Sequence, residues 1–207
     1  MAESDYKFLC DGERCIECNG CVVACKNAND VPWGMQRRRV VTLDDGVVDK
    51  EVSISVACMH CGDAPCVEVC PTQTLFKRED GIVHHNKDNC IGCGYCFYAC
   101  PFGAPQYPQD GFWGQRGEMD KCTYCAGGPE EDLSAAEFEK YGANRIAEGK
   151  LPLCAEMCST KALMAGDATT VANIFRERVV NRGHANAGWS LNDAQFSNAM
   201  TGSEQQK

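Results

Sequence analysis

Cys90-Ile91-Gly92-Cys93-Gly94-Tyr95-Cys96-Phe97-Tyr98-Ala99-Cys100-Pro101 sets four thiols at C-x2-C-x2-C-x3-C and closes on proline. Such a run holds a cubane iron-sulfur cluster, and its fourth Cys characteristically ligates a different cluster from the first three. The pattern occurs, whole or modified, four times in the 207 residues. The nearest copy on the N-terminal side is Cys58, Cys61, Cys66 and Cys70, followed by Pro71. Its middle gap is widened by Gly62-Asp63-Ala64-Pro65, which reads as a small loop inserted beside the cluster. Between the two copies, Thr74 to Arg78 and Ile82 to His85 flank the turn Glu79-Asp80-Gly81 and predict a hairpin. By the exchange of fourth ligands, one cluster takes Cys58, Cys61, Cys66 and Cys100, and the other takes Cys90, Cys93, Cys96 and Cys70.

Further out lie Cys15, Cys18, Cys21 and Cys25, where Cys15-Ile16-Glu17-Cys18 echoes Cys90-Ile91-Gly92-Cys93 and Lys26 replaces the proline. Tyr6 to Cys10 predicts a short strand in front of this set. Arg39 to Leu43 and Glu51 to Ala57, either side of Asp44-Asp45-Gly46, predict another hairpin. The fourth set is split: Cys122 and Cys125 are completed, after twenty-eight residues, by Cys154 and Cys158. Cys158-Ser159-Thr160-Lys161-Ala162-Leu163 parallels Cys70-Pro71-Thr72-Gln73-Thr74-Leu75, which marks Cys158 as a fourth ligand. Exchange between the remaining sets joins Cys15, Cys18 and Cys21 to Cys158, and Cys122, Cys125 and Cys154 to Cys25.

The expected architecture is α+β: two ferredoxin-like modules of two 4Fe-4S clusters each, one inserted into the other, with short β-hairpins, short helices and long loops. The outer module is 1-57 plus 102-182, the inner module 58-101, and 183-207 a polar C-terminal tail. Phe102 to Lys121 reads as a loop. Ser134 to Glu148 has helical character with Leu133, Phe138 and Tyr141 facing inward, and Thr169 to Val180 reads as an amphipathic helix with Val171, Ile174, Phe175 and Val179 on one face. Cys10, the seventeenth Cys, is expected to be a buried structural thiol.

Seventeen Cys first raise the question of a disulfide scaffold. Disulfide frameworks rarely set Cys in repeated groups of four at two- and three-residue gaps. Zinc is the stronger alternative, but its sites use two close pairs, not three Cys within seven residues and a fourth before proline. A formal charge of -9 with no basic patch excludes a nucleic-acid binder. Four cubanes, each about -2 with its thiolates, deepen that charge to roughly -17. No apolar run reaches the ~18 residues of a membrane span. Arg37-Arg38-Arg39 precedes a strand-like acidic stretch and is not a leader.

Other residues carry less. His60, inside Cys58-Met59-His60-Cys61, reads as a loop histidine with a polar partner ahead of a residue that tunes a cluster. His84 and His85 alternate along a strand, so at most one is expected to point inward. Tyr95, Phe97 and Tyr98 read as packing around a cluster. Lys121 reads equally as a charge that raises a cluster potential or as a solvated side chain. There is no nucleophile and base pair, phosphate loop or dinucleotide fingerprint, so no catalytic residue is assigned. Clusters with four protein ligands have no open coordination site, which points to a conduit of four 4Fe-4S clusters, not to an enzyme acting alone.

Over roughly residues 5 to 180 the four quartets, with the last one split, resemble the four-cluster iron-sulfur subunits of the molybdopterin oxidoreductase (dimethyl sulfoxide reductase) superfamily. Cys90 through Ala99-Cys100-Pro101-Phe102-Gly103-Ala104-Pro105-Gln106 looks like the beta subunits of formate dehydrogenases. So do Met119-Asp120-Lys121-Cys122-Thr123 with Cys125-Ala126-Gly127-Gly128-Pro129-Glu130, and Tyr141-Gly142 with Asn144-Arg145-Ile146-Ala147-Glu148-Gly149-Lys150. The first segment is shared across the superfamily; the others weigh more for formate. The resemblance implies a separate catalytic subunit with molybdenum or tungsten on a pterin that oxidises formate. Electrons would enter this chain and leave to a cytochrome b or another acceptor. Related subunits serve polysulfide, tetrathionate, nitrite or dimethyl sulfoxide enzymes. Some members carry a C-terminal membrane helix; none is read here, so partners are expected to hold the chain peripherally at the cytoplasmic membrane, with the periplasmic face, by co-export, favoured over the cytoplasmic.

Overall fold

The computed structural model describes residues 5–44, 51–108, 117–130 and 133–182. Within them the fold is α+β, with three separate two-stranded antiparallel ribbons joined by short helices. The outermost ribbon pairs β1 (Tyr6–Cys10) with β6 (Leu163–Asp167), from Tyr6 opposite Asp167 to Cys10 opposite Leu163. Strand β1 stands where the sequence reading places it, whereas β6 is new. The C-x-T-x-x-L parallel contains its signal, since Leu75 opens β4 (Leu75–Lys77) and Leu163 opens β6.

The second ribbon is β2 (Arg38–Leu43) with β3 (Val52–Ala57), shifted from the expected hairpin by one residue at each start. The expected turn at Asp44-Asp45-Gly46 falls largely outside the described residues. The third is β4 with β5 (Val83–His85), Leu75 opposite His85. Helices α1 (Gly20–Asn29), α2 (Pro65–Glu68), α3 (Tyr95–Ala99) and α5 (Leu153–Glu156) each carry one or more of the predicted cluster thiols. Apolar burial gathers around these thiols: Leu75, Val83 and Met119 with Cys66 and Cys96, and Ala155 and Leu163 with Cys21, Cys25 and Cys154.

Several expectations are corrected. Helix α4 covers Ala135–Tyr141 only. Ser134 Oγ caps its start by accepting from Glu137 N at 3.0 Å. Its end is Gly142 at φ +89°, where a Cβ would lie 2.5 Å from Asn29 Oδ1, so this close approach to α1 requires glycine. Leu133 and Phe138 are exposed, and the inner face is Glu137 and Tyr141. The Glu137 carboxylate accepts from Gly128 N at 2.6 Å and Leu133 N at 2.7 Å, so local backbone donors, not apolar packing, draw that face inward. In α6 (Ala168–Arg182) Val171 is buried, Phe175 and Val179 are half-buried and Ile174 is exposed. On five-residue α3 only Cys96 is buried; Tyr95, Phe97 and Tyr98 are exposed, because so short a helix has one inner face and the thiol occupies it. The predicted tail 183–207 lies outside the described residues.

His84 and His85 are both fully buried, because the β4/β5 ribbon is covered on both sides. His84 Nε2–H donates to Gly127 O at 2.9 Å, its Nδ1 accepts from His85 N at 2.8 Å, and Phe76 packs on the ring. His85 lies 3.8 Å from Asp120 and edge-on to Tyr141. Burial pushes His84 down to about 3 and His85 down to about 4. The unfolded chain, with histidines near 6.5, then binds more protons than the folded one between pH 6.5 and 4. Stability is therefore expected to fall with pH across that window by about 1.4 kcal/mol per pH unit for each histidine. Urea unfolding of the cluster-loaded chain at pH 7.5, 6.5 and 5.5 checks this, and a slope unchanged in the His85→Gln chain would refute it.

The three consecutive arginines diverge. Arg37 donates from Nε and Nη2 to the two oxygens of Asp120 at 2.6 and 2.7 Å and from Nη1 to Tyr141 O at 2.7 Å. Lys87 Nζ lies 3.1 Å from the same carboxylate. Arg39 donates to the carbonyls of Phe102 and Gly103. Arg38 points between the two into the interior.

Candidate cluster sites

Three small cavities are each walled by four of the predicted ligands. One, of about 20 Å³, is lined by Cys58, Cys61, Cys66 and Cys100. Another, of about 10 Å³, is lined by Cys70, Cys90, Cys93 and Cys96. A third, of about 20 Å³, is lined by Cys15, Cys18, Cys21 and Cys158. Cys25, Cys122, Cys125 and Cys154 form a fourth group, in which Asn29 Nδ2 lies 3.8 Å from the sulfurs of both Cys25 and Cys125, and the thiol of Cys25 is acted on by those of Cys122, Cys154 and Cys125. Among the described residues no three His, Cys, Asp or Glu side chains converge as ligands of a single metal ion. The thiols surround a volume, as the ligands of a polynuclear core must.

Backbone conformation explains how short loops achieve this. In the first C-x2-C of each of the four sets the second residue between the Cys is left-handed: Glu17 at φ 55°, His60 at 46°, Gly92 at 67° and Tyr124 at 62°. Only one of the four is glycine. The others each hold a conformation costing about 1–2 kcal/mol, a local strain of the kind found at functional sites. Asn19 and Gly94, one residue beyond the pairs Cys15/Cys18 and Cys90/Cys93, are also left-handed. Turned this way, successive amides can face inward, and sulfurs accept from several: Cys122 from Tyr124 N at 3.4 Å, Cys90 from Met119 N at 3.3 Å, Cys100 from Ala104 N at 3.4 Å and Cys158 from Leu163 N at 3.4 Å.

The C-x-T-x-x-L repeat is also a repeat of geometry. Thr72 Oγ1 lies 3.7 Å from Cys70 Sγ and Thr160 Oγ1 3.8 Å from Cys158 Sγ, with Gln73 and Lys161 both at φ 53°. Burial opposes ionisation of these two thiols, but the amides of Leu75 and Leu163 and the threonine hydroxyls outweigh it and hold both below the ordinary thiol value. Elsewhere burial dominates. It pushes Cys66 and Cys122 up to about 11 and, with neighbouring thiols adding to it, raises Cys25 further. Buried rings of thiols like these are deprotonated only against a cationic core, and a 4Fe-4S core of charge +2 supplies one. The donor set thus fits cubane clusters.

The four groups are contiguous. Cys96 and Cys90 share packing with Cys61, Cys66 and Cys70; Cys58 and Cys100 pack with Cys122; and Cys154 packs with Cys21, Cys25 and Cys158. Cys10 is half-buried, not buried: it lines the cavity of Cys15, Cys18 and Cys21, and its sulfur accepts from Ser55 N at 3.2 Å. His60 has the expected polar partner, accepting from Val83 N at 3.1 Å through Nδ1, but it is fully buried against Tyr124. Lys121 is also buried, contrary to a solvated reading, with Nζ on the carbonyls of Val83 and Cys122. Sequence reasoning misses Asn29, Ser55, Arg38 and Tyr107, whose hydroxyl lies 3.3 Å from Cys96 Sγ. Asn29 alone has a local signal, one helical turn after Cys25.

A family model for the 4Fe-4S dicluster domain matches residues 49–141. The chain is 61% identical over 186 residues to the formate dehydrogenase iron-sulfur subunit of Wolinella succinogenes, covering 90% of this chain and 93% of that one. It is 37% identical over 173 residues to an anaerobic dimethyl sulfoxide reductase chain of Escherichia coli, covering 79% and 74%. With the thiosulfate reductase electron transfer subunit of Salmonella typhi it shares 38% over 167 residues, covering 79% and 76%. The thiol-walled cavities, the donor chemistry and these relatives agree: the chain belongs to this family of 4Fe-4S iron-sulfur subunits and is an electron-transfer subunit, not a catalytic one.

Proposed function

We propose that the chain carries four 4Fe-4S clusters in one unbroken row and passes electrons from a formate-oxidising catalytic subunit, bearing molybdenum or tungsten on a pterin, to a cytochrome b or another acceptor. The ligand sets are Cys70, Cys90, Cys93 and Cys96; then Cys58, Cys61, Cys66 and Cys100; then Cys25, Cys122, Cys125 and Cys154; then Cys15, Cys18, Cys21 and Cys158. The observation that carries the reading is the contiguity of the four thiol groups through shared buried packing. Each bound cluster supplies a one-electron carrier. The chain's residues space the carriers, exclude water and set the electrostatics around the sulfurs. Formate as electron source is supported by the 61% identity to the Wolinella subunit.

The same reading treats residues 58–101 as an inner module inserted into an outer one. Pairing of β1 with β6 supports it, because the ends of the described chain meet across the insertion. No helix of the described residues is long and apolar enough to cross a membrane. We propose that partners hold the chain peripherally at the cytoplasmic membrane, with the periplasmic face favoured over the cytoplasmic.

The complex purified with its partners is expected to reduce an artificial dye with formate, and this subunit separated from it to hold about 16 Fe and an equal amount of acid-labile sulfide. Full iron with no formate activity, but with activity on a sulfur compound or dimethyl sulfoxide, would transfer the conduit to another enzyme of the family. Zinc with little iron would refute the conduit itself.

A further inference from the structure

Arg38 is the largest fully buried side chain of the described residues, 2% exposed. Its guanidinium lies 4.3 Å from the Phe8 ring and donates from Nη1 to Ser55 Oγ at 3.0 Å. Nε and Nη2 have no hydrogen-bond partner. No carboxylate among the described residues pairs with it, in contrast to Arg37 beside it, which is held by both oxygens of Asp120. The ionisable groups that act on Arg38 most strongly are thiols, Cys154, Cys122, Cys25 and Cys21, and Cys10 is coupled to it as well. Ser55 Oγ also lies 3.2 Å from Cys21 Sγ, so one hydroxyl joins the guanidinium to that ligand. An isolated charge in a dry interior costs far more than a fold can absorb unless an opposite charge offsets it, and here only sulfur is present to do so.

We propose that Arg38 is the buried counter-ion of the two outer clusters, those of Cys15/Cys18/Cys21/Cys158 and Cys25/Cys122/Cys125/Cys154, and that it holds their reduction potentials above those its neutral replacement would allow. The inference rests on the four-cluster reading above. Reduction adds one negative charge to a cluster, and a fixed cation at the boundary of two clusters favours the reduced form of both. Arginine keeps its proton when buried, and a lysine in its place would keep its own against the negative charge of the cluster sulfurs. Arg38 acts through the cluster sulfurs and is a positioning residue, not a catalytic one. The thiols that Arg38 acts on, Cys25, Cys122 and Cys154, belong to the outer sets, and the two inner clusters should respond to its charge far less.

The test is a potentiometric titration of the full complex followed by cluster-resolved EPR, comparing wild type with Arg38→Gln and Arg38→Lys. Iron and sulfide content of this subunit separated from the complex first establish that it holds four clusters, and fewer would count against the four-cluster reading in the wild type. In Arg38→Gln the reduced-to-oxidised ratio of the two outer clusters at a given potential is expected to fall at least tenfold, about 59 mV for a one-electron couple. The inner two should move less than threefold, and Arg38→Lys should restore the outer pair. Unchanged outer clusters in Arg38→Gln, an equal shift of all four, or a lysine variant that behaves as glutamine would overturn the proposal. If Arg38→Gln does not retain its clusters, Arg38→Lys decides: outer potentials close to wild type uphold the charge, and a tenfold loss in the same ratio overturns it.

Discussion

Replacing Cys100 by alanine is expected to abolish the cluster of Cys58, Cys61 and Cys66 and to leave that of Cys90, Cys93 and Cys96 in place. Proximity in sequence argues the reverse, since only three residues separate Cys100 from Cys96. Space argues otherwise: Cys100 walls the cavity of Cys58, Cys61 and Cys66, and Cys70 walls that of Cys90, Cys93 and Cys96. Helix α3 separates the two sulfurs: it begins after left-handed Gly94, buries Cys96 toward Leu75 and Met119, and ends at Cys100, which is extended at φ -86° and packs beside Ala57 and Cys122. Iron should drop from about 16 to about 12 per chain, or to about 15 if a three-iron cluster survives on the remaining thiols. The row would be broken at its second position, and electron flow from formate to the acceptor should fall by orders of magnitude while dye reduction at the catalytic subunit persists. EPR showing loss of the Cys90 cluster instead would reverse the pairing.

The second large effect is on stability. Asp120→Asn is expected to destabilise the fold by about 3–5 kcal/mol, the usual cost of removing one partner from a buried ion pair. Asp120 is 4% exposed, accepts both nitrogens of buried Arg37, and is approached by Lys87 at 3.1 Å. Loss of its charge strands two cations at the junction of β2, β5 and α4. For a chain of this length the cost corresponds to a fall in Tm of roughly 6–20 °C. Burial alone would raise the carboxyl, but Arg37, His85 and Lys87 together hold it far below the ordinary range. Its contribution is therefore complete above the unfolded value of about 3.9 and is lost only as pH falls below that. Wild type and Asp120→Asn should differ fully at pH 7 and converge only in strong acid. A difference in Tm below about 2 °C at pH 7 would show that the network is not stabilising.

Much of the candidate site was legible because the thiols that come together are marked by local spacing. The C-x2-C runs, both hairpins and the C-x-T-x-x-L repeat each follow from residues a few positions apart. Features made by distant segments were not. His84 and His85 obey strand alternation, yet both are buried because Gly127 and Tyr141 arrive from elsewhere in the chain to cover the second face. The helical stretch after Ser134 stops at Gly142 because α1 passes too close for a side chain there. Arg37, Arg38 and Arg39 read as one basic run, while in the fold the three side chains meet a carboxylate, a set of thiols and two carbonyls. Nothing in the run itself distinguishes them; each is defined by what lies opposite.

The β1–β6 ribbon bears on the order in which the protein can be made. Cys10 and Leu163 are opposite one another in it, so the N-terminal thiols wait for some 150 residues to be synthesised before Cys158 appears, about 8–30 s at ribosomal rates of about 5–20 residues per second. Residues 58–101 contain every proposed ligand of their own two cavities, whose remaining walls, Phe102 to Lys121, follow within twenty residues. During that interval Cys15, Cys18 and Cys21 stand as an incomplete set with exposed Ile16 beside them, open to oxygen, stray metal and one another. On the proposed four-cluster row, delivery of iron and sulfide to its two ends is separated in time, and the end sealed last is the one that most needs protection during assembly.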